Sequence, residues 1–439
     1  MRKKRKVFIF TLLVFLSSLT LFLTQNDRDN PHQKEIYRSG LLLAGGANSV
    51  TQNYEPSLMY IDPNNNFSLK NIDFTEFGFD FAGIHEARPI LIDNEYKIAL
   101  GTYSNQMDNG DQAEFIILSN DTFGFDNLEV EFKEQVNDAR IRAVFVGDIN
   151  NDRKNEIVIG TRPNGILRYY KSIDKKWVGF DIAFLNETIH DILIADINRN
   201  GINEILITTG PRVGVPILNI PFQPLDSTGK IVSYELNPDT NTWQKEIVWD
   251  YIFRPQSLKL PKHARYLFAS DVDGDGSKEI VANVLGPKNS GNDIELFRWD
   301  GLNYSREIVE DSLDIHASAI TVGDIDSNGK DEILAFAKED GALLLYNYEG
   351  KAWRRETLVD NLKNKSNTIN YLHIINAPNN SHKKILYALG PIGGTDADVS
   401  SINTGLFYLE HTNGVWEKKY IDTTQQPFVV WGLFPAFPN

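Results

Sequence analysis

The sequence predicts an all-β fold, a seven-bladed β-propeller of four-stranded blades whose ring is closed by the C-terminal strand joining the N-terminal blade. Three observations carry that expectation. An acidic loop of nine residues, D-x-[DN]-x-[DN]-x-x-x-E, recurs at 148–156, 196–204, 271–279 and 324–332. Short apolar runs rich in β-branched residues flank the copies, such as Ala143–Val146 before the first and Ile157–Ile159 after it, and these read as strands. Two more strand-like segments follow in each unit, so one unit holds four strands in about fifty residues, the spacing of a propeller blade.

In chain order, a basic run, Arg2–Lys6, precedes the uncharged apolar run Val7–Leu23. A flank of this kind stays cytoplasmic and sends the rest of the chain across. Residues 1–23 are expected to be a signal-anchor or a signal peptide, with no small-x-small cleavage site after the run. The expected location is the cell membrane, single-pass with an extracytoplasmic C-terminal domain; secretion is the alternative. Residues 24–38 read as a spacer, and 39–439 as one propeller domain.

The first blade supplies three strands, Leu41–Ala44, Ser57–Ile61 and Phe67–Phe74, and takes its inner strand from Phe428–Gly432. The second, Pro89–Ile92, Lys97–Gly101, Glu114–Leu118 and Leu128–Phe132, has lost the acidic loop. Four looped blades follow, with segments such as Ile192–Ala195, Ile280–Val284, Gly341–Tyr346 and Trp353–Leu358. The last is Tyr371–Ile375, Ile385–Leu389, Leu406–Leu409 and Trp416–Ile421. Trp177, Trp243, Trp299, Trp353 and Trp416 recur late in successive blades and read as packing residues.

Composition narrows the function. A net charge of −15 argues against nucleic acid and against an anionic membrane surface, because phosphate backbones need a basic footprint. With no Cys the chain has no disulfide, thiolate zinc site or thiol nucleophile. Walker, Rossmann, G-x-S-x-G and H-E-x-x-H motifs are also missing.

The acidic loops present oxygen at positions 1, 3, 5 and 9, a donor set suited to Ca²⁺, which takes six to eight oxygens. The candidate ligands are Asp148, Asn150, Asp152 and Glu156; Asp196, Asn198, Asn200 and Glu204; Asp271, Asp273, Asp275 and Glu279; and Asp324, Asp326, Asn328 and Glu332. Ligand charge ranks 271–279 first, and Arg153 at the Gly position ranks 148–156 last. Three to four structural Ca²⁺ sites are expected; the alternative is Asx-rich turns that satisfy their own backbone. On these loops and their spacing the chain resembles the FG-GAP/VCBS repeat family over 39–433, most strongly over 139–340, although literal Phe-Gly and Gly-Ala-Pro signatures are missing from most blades. The resemblance implies a propeller with calcium in the turns between first and second strands. It does not fix an activity.

Counting back eight residues from each loop gives Arg140, Thr188, His263 and His316, with His190 beside Thr188 and His85 in register if Asp93 marks the lost loop. Just past the second strands stand Arg162, Arg212, Lys288 and Lys338. Both sets are expected at one mouth of the channel, opposite the acidic turns. Such a mouth reads as a pocket for an anionic glycan or a protein ligand, with a second metal on the imidazoles as a further option. The bland reading is that the His side chains stitch neighbouring blades. Two alternatives stay open: a polysaccharide lyase or sugar dehydratase using His85, His190, His263 or His316 as base, and a scaffold with no small-molecule site. The propeller is expected to be monomeric.

Overall fold

The structure is a computed structural model that describes residues 41–46, 57–62, 68–72, 77, 83–92, 95–104, 112–120, 128–210, 229–251, 262–285, 292–313, 315–337, 341–360, 362, 367–375, 384–391, 405–412, 415–421 and 429–435. The basic N-terminal run, the apolar run after it and the 24–38 spacer lie outside these residues, as do Arg212, Lys288 and Lys338. Among the described residues no helix is long and apolar enough to cross a membrane.

The fold is all-β, built as consecutive four-stranded antiparallel meanders. The first unit holds β1 (Leu41–Gly46), β2 (Ser57–Asp62) and β3 (Ser68–Ile72), and the second β4 (Gly83–Ile92), β5 (Glu95–Tyr103), β6 (Ala113–Asn120) and β7 (Leu128–Val136). The third is β8 (Arg140–Gly147), β9 (Glu156–Arg162), β10 (Ile166–Ile173) and β11 (Lys176–Phe184). The fourth is β12 (Thr188–Ala195), β13 (Glu204–Gly210), β14 (Lys230–Asn237) and β15 (Thr242–Asp250). The fifth is β16 (His263–Ser270), β17 (Glu279–Leu285), β18 (Asn292–Trp299) and β19 (Tyr304–Leu313). The sixth is β20 (Ile315–Gly323), β21 (Glu332–Ala337), β22 (Ala342–Glu349) and β23 (Ala352–Val359). β24 (Asn367–Ile375), β25 (Lys384–Pro391), β26 (Gly405–Thr412) and β27 (Val415–Ile421) make the seventh, and β28 (Val429–Pro435) pairs with β1. The last four units are separate four-stranded sheets. The first three join into one 12-stranded sheet through single-residue pairs, Gly46 with Gly83 and Tyr103 with Arg140.

The core lies between units. Side chains alternate along a strand, so Ile280 and Ala282 face one neighbouring sheet while Val281 faces the other. Ile333 and Ala335 likewise point one way and Leu334 the other. A second strand covered on both faces must be apolar throughout, and every residue of β21 is buried. Outer strands carry polar side chains, as in β23, where Arg354–Thr357 are exposed. The tryptophans behave as packing residues: Trp243, Trp299, Trp353 and Trp416 sit against these cores, and Trp177 is buried. Two of them also clasp the preceding unit, Trp177 Nε1 donating to Glu131 at 2.7 Å and Trp353 Nε1 to Glu307 at 2.9 Å.

Candidate functional site

First strands pair unevenly with second strands. In β4, Ile84 opposes Thr102 and Glu86 opposes Gly101, which leaves His85 as an extra residue. The same step isolates Arg142 in β8, His190 in β12 and Arg265 in β16. Asn370 holds that place in β24, and in β20 the pairing breaks between Ile315 and Ile320, the stretch containing His316. A β-bulge kinks its strand and re-aims the extra side chain. Here it recurs, and four consecutive units deliver two imidazoles and two guanidiniums by the same device.

This register corrects the sequence alignment. The bulged residue stands six positions before the loop in the looped units (142 before 148, 190 before 196, 265 before 271), not eight. β4 runs to 10 residues where β8, β12 and β16 have 8, so His85 falls level with Arg142, His190 and Arg265. The positions counted as its equivalents, Arg140, Thr188 and His263, are the first residues of their strands.

The side chains nevertheless converge. His190 and His263 stack with centroids 4.8 Å apart, and Arg142 Nη1 lies 3.4 Å from His85 Nε2. Arg140 packs its guanidinium 4.9 Å over the Tyr103 ring. Arg162 leaves β9 into a turn fixed by buried Asp138, whose carboxylate accepts from Thr161 Oγ1 at 2.5 Å and from the Asn164 amide at 2.9 Å. Of the predicted residues, the structure thus gathers His85, His190, His263, Arg140 and Arg162. Arg142 and Arg265 belong with them and were missed.

Burial and like charge set the electrostatics. Burial pushes His85 well below the usual imidazole range, and Arg142, Arg140, Arg265 and Arg162 push the same way. His190 is lowered by burial, then by Arg265, Arg142, His263 and Arg162. Arg140 falls to about 10 and Arg142 to about 9, chiefly through burial and then through neighbouring arginines, so both stay charged at neutral pH while the two imidazoles stay neutral. One residue beyond the bulges stands an acidic pair. Glu86, raised by burial to about 8, lies 3.5 Å from Arg88 Nη2 and 3.8 Å from His85 Nδ1. Asp191, raised by burial to about 6, accepts from the Leu267 amide at 2.8 Å.

The four acidic loops share one conformation. The closing Glu accepts from the amide of position 2 in each, as from Ile197 to Glu204 at 2.8 Å and from Ile325 to Glu332 at 2.7 Å. Position 6 is left-handed throughout, at φ 66° for Arg153 and 85–86° for Gly201, Gly276 and Gly329. Arg153 therefore adopts the glycine conformation, at the cost a side chain incurs there. Asp271, Asp273 and Asp275 bring ligand atoms within 4.8 Å of one another, as do Asp324, Asp326 and Glu332, and both sets fit a hard cation. At 196–204, Asn198 and Asn200 donate to Glu235 of β14 at 2.9 and 2.7 Å, a carboxylate that the loop sequence did not offer.

No family model matches the sequence. Two solved structures, from Bacteroides uniformis and Bacteroides fragilis, each described as a "putative 6-phosphogluconolactonase", are similar in fold. The first aligns with TM-score 0.51 and 12% identity over 90% of this chain and 98% of that one. The second aligns with TM-score 0.50 and 11% identity over 88% and 96%. At that identity the likeness is one of fold alone.

Proposed function

We propose that this chain is a seven-bladed β-propeller outside the cytoplasm that binds an anionic glycan at one mouth of its channel. Ring closure is supported by β28, which pairs with β1 and packs on both β4 and β24. Calcium in the opposite turns, as in FG-GAP/VCBS repeats, is supported by the shared loop conformation and the two carboxylate clusters. The observation that carries the binding reading is the convergence of Arg142, Arg162 and Arg265 on the neutral imidazoles of His85 and His190, with Arg140 also close to His85. Guanidiniums desolvated together favour an oxyanion, with which they make charge-assisted, often bidentate hydrogen bonds. The test is retention of the full chain on immobilised anionic polysaccharide against a neutral polymer of the same backbone. Selective, salt-eluted retention is expected; equal retention on both sinks the reading.

One observation favours an enzyme as the second reading. A neutral imidazole, His85, stands beside a carboxyl that holds its proton at neutral pH, Glu86, and separated pKa values of this kind suit a base and an acid. A lyase would show the ultraviolet absorbance of a new carbon–carbon double bond on uronate polymers, whereas a binder leaves the polymer unchanged.

A further inference from the structure

We infer that the anionic group accepted by the Arg/His cluster is a phosphate monoester, so that the ligand is a phosphorylated sugar and not a uronate; this rests on the anion-binding reading above. The first argument is charge. Arg140, Arg142, Arg162 and Arg265 all lie close enough to act on the one imidazole of His85, and Arg265 acts on each of the other three. A ligand with a single negative charge offsets one of four mutually repelling cations. A phosphate monoester brings about −1.5 to −2 charges near pH 7 and three acceptor oxygens.

The second argument is the donor set. Arg142 Nε, Arg265 Nε and both ring nitrogens of His190 are buried and make no hydrogen bond among the described residues. Buried polar atoms in that state carry the full desolvation cost until something pairs with them. Three donors from two arginines and one neutral imidazole match three phosphoryl oxygens. A planar carboxylate offers two oxygens, which one guanidinium fork satisfies. A sulfate ester has three oxygens and only one charge.

The nearby carboxyls offset part of this field, since both Glu86 and Asp191 feel Arg142, but two carboxyls do not neutralise four guanidiniums. Glu86 is directed to Arg88 and His85, and Asp191 is anchored to the Leu267 amide.

The experiment is calorimetric titration of the full chain with glucose 6-phosphate, glucose 6-sulfate, glucuronate, glucose and inorganic phosphate. Glucose 6-phosphate is expected to bind about tenfold or more tightly than the sulfate ester or glucuronate, because the phosphate monoester brings about −1.5 to −2 charges to the same arginines where the others bring one. Inorganic phosphate is expected to compete with it more weakly; phosphate binding as tightly as the ester overturns the sugar component. Arg265→Ala is expected to lose the preference, and Arg265→Lys to retain part of it, since Lys keeps the charge without the fork. The Lys variant keeps the comparison readable if the Ala variant does not fold, as judged by circular dichroism. Glucuronate binding as tightly as the phosphate ester overturns the inference and leaves the anion reading standing. Silence toward every ligand overturns the inference, and silence together with equal retention on the anionic and neutral polymers overturns both.

Discussion

A single methyl group at Gly210 decides whether the imidazole pair can form. A Cβ there would stand 2.5 Å from His190 Nε2 and 3.3 Å from His263 Cδ2. The glycine ending β13 is thus required by the close approach of a site side chain. Gly210→Ala is expected to displace His190 and weaken anion binding about tenfold, at an overpacking cost of ~1–3 kcal/mol in stability. Titration calorimetry and thermal unfolding read the two effects separately, and unchanged affinity contradicts the placement. Glu86 supplies a pH dependence at the same scale. Its carboxyl is raised from 4.5 unfolded to about 8 folded, so the folded state holds the proton more tightly. The stabilisation is complete below 4.5 and is lost as pH rises through about 8. Glu86→Gln mimics the protonated form. Relative to wild type it is expected to gain stability across that window, at up to ~1.4 kcal/mol per pKa unit. Urea unfolding at several pH values checks this, and a pH-independent difference between the two proteins rules it out.

Among the elements, the acidic loops make the calcium claim testable. The Glu closing each loop is almost fully buried, from 1% exposed at Glu204 to 3% at Glu279 and Glu332. A bound cation would offset the cost of ionising such a group, so metal should stabilise the fold. Adding Ca²⁺ to EDTA-stripped protein is expected to raise stability by ~2.7 kcal/mol per site at a hundredfold excess over Kd. Glu279→Gln should remove most of one site's share, and a melting temperature indifferent to EDTA and Ca²⁺ alike would falsify the claim. These loops were legible because their signal is local: alternating oxygen ligands, a left-handed position 6 and apolar runs on either side. The strands were legible for the same reason. The bulges were not, since a bulge is a relation between two strands and no single stretch records it. Aligning His85 with Arg140 and His263 assumed that β4 matches the other first strands in length. Its two extra residues hid the true counterparts, Arg142 and Arg265. His190, one step off the assumed register beside Thr188, was the trace of the correct one. Glu86 and Asp191 follow the bulged residues directly, so their role also depended on that pairing.

For the whole molecule, the proposed ring depends on β28. Val429–Pro435 pairs along the full length of Leu41–Gly46, with one irregularity between Ala44 and Gly45. Without that strand, β1 becomes an open edge with an apolar sequence, Leu-Leu-Leu-Ala, and exposed apolar edges pair with other chains. The last unit, β24–β27, also loses a neighbour, because β24 packs on β28. Two truncations separate strand loss from simple shortening. Ending the chain after residue 435 leaves β28 whole and is expected to preserve the melting temperature. Ending it after residue 428 removes the strand and is expected to lower the melting temperature by roughly 4 °C or more, since at about 2.1 cal/mol/K per residue a loss of a few kcal/mol moves a domain of this size by about that much. Size-exclusion chromatography should show the shorter chain as dimers or aggregates, with the open β1 edge as the contact. A monomeric chain ending at 428 with the full-length melting temperature would show that β28 closes nothing, and the seven-bladed reading would fall with it.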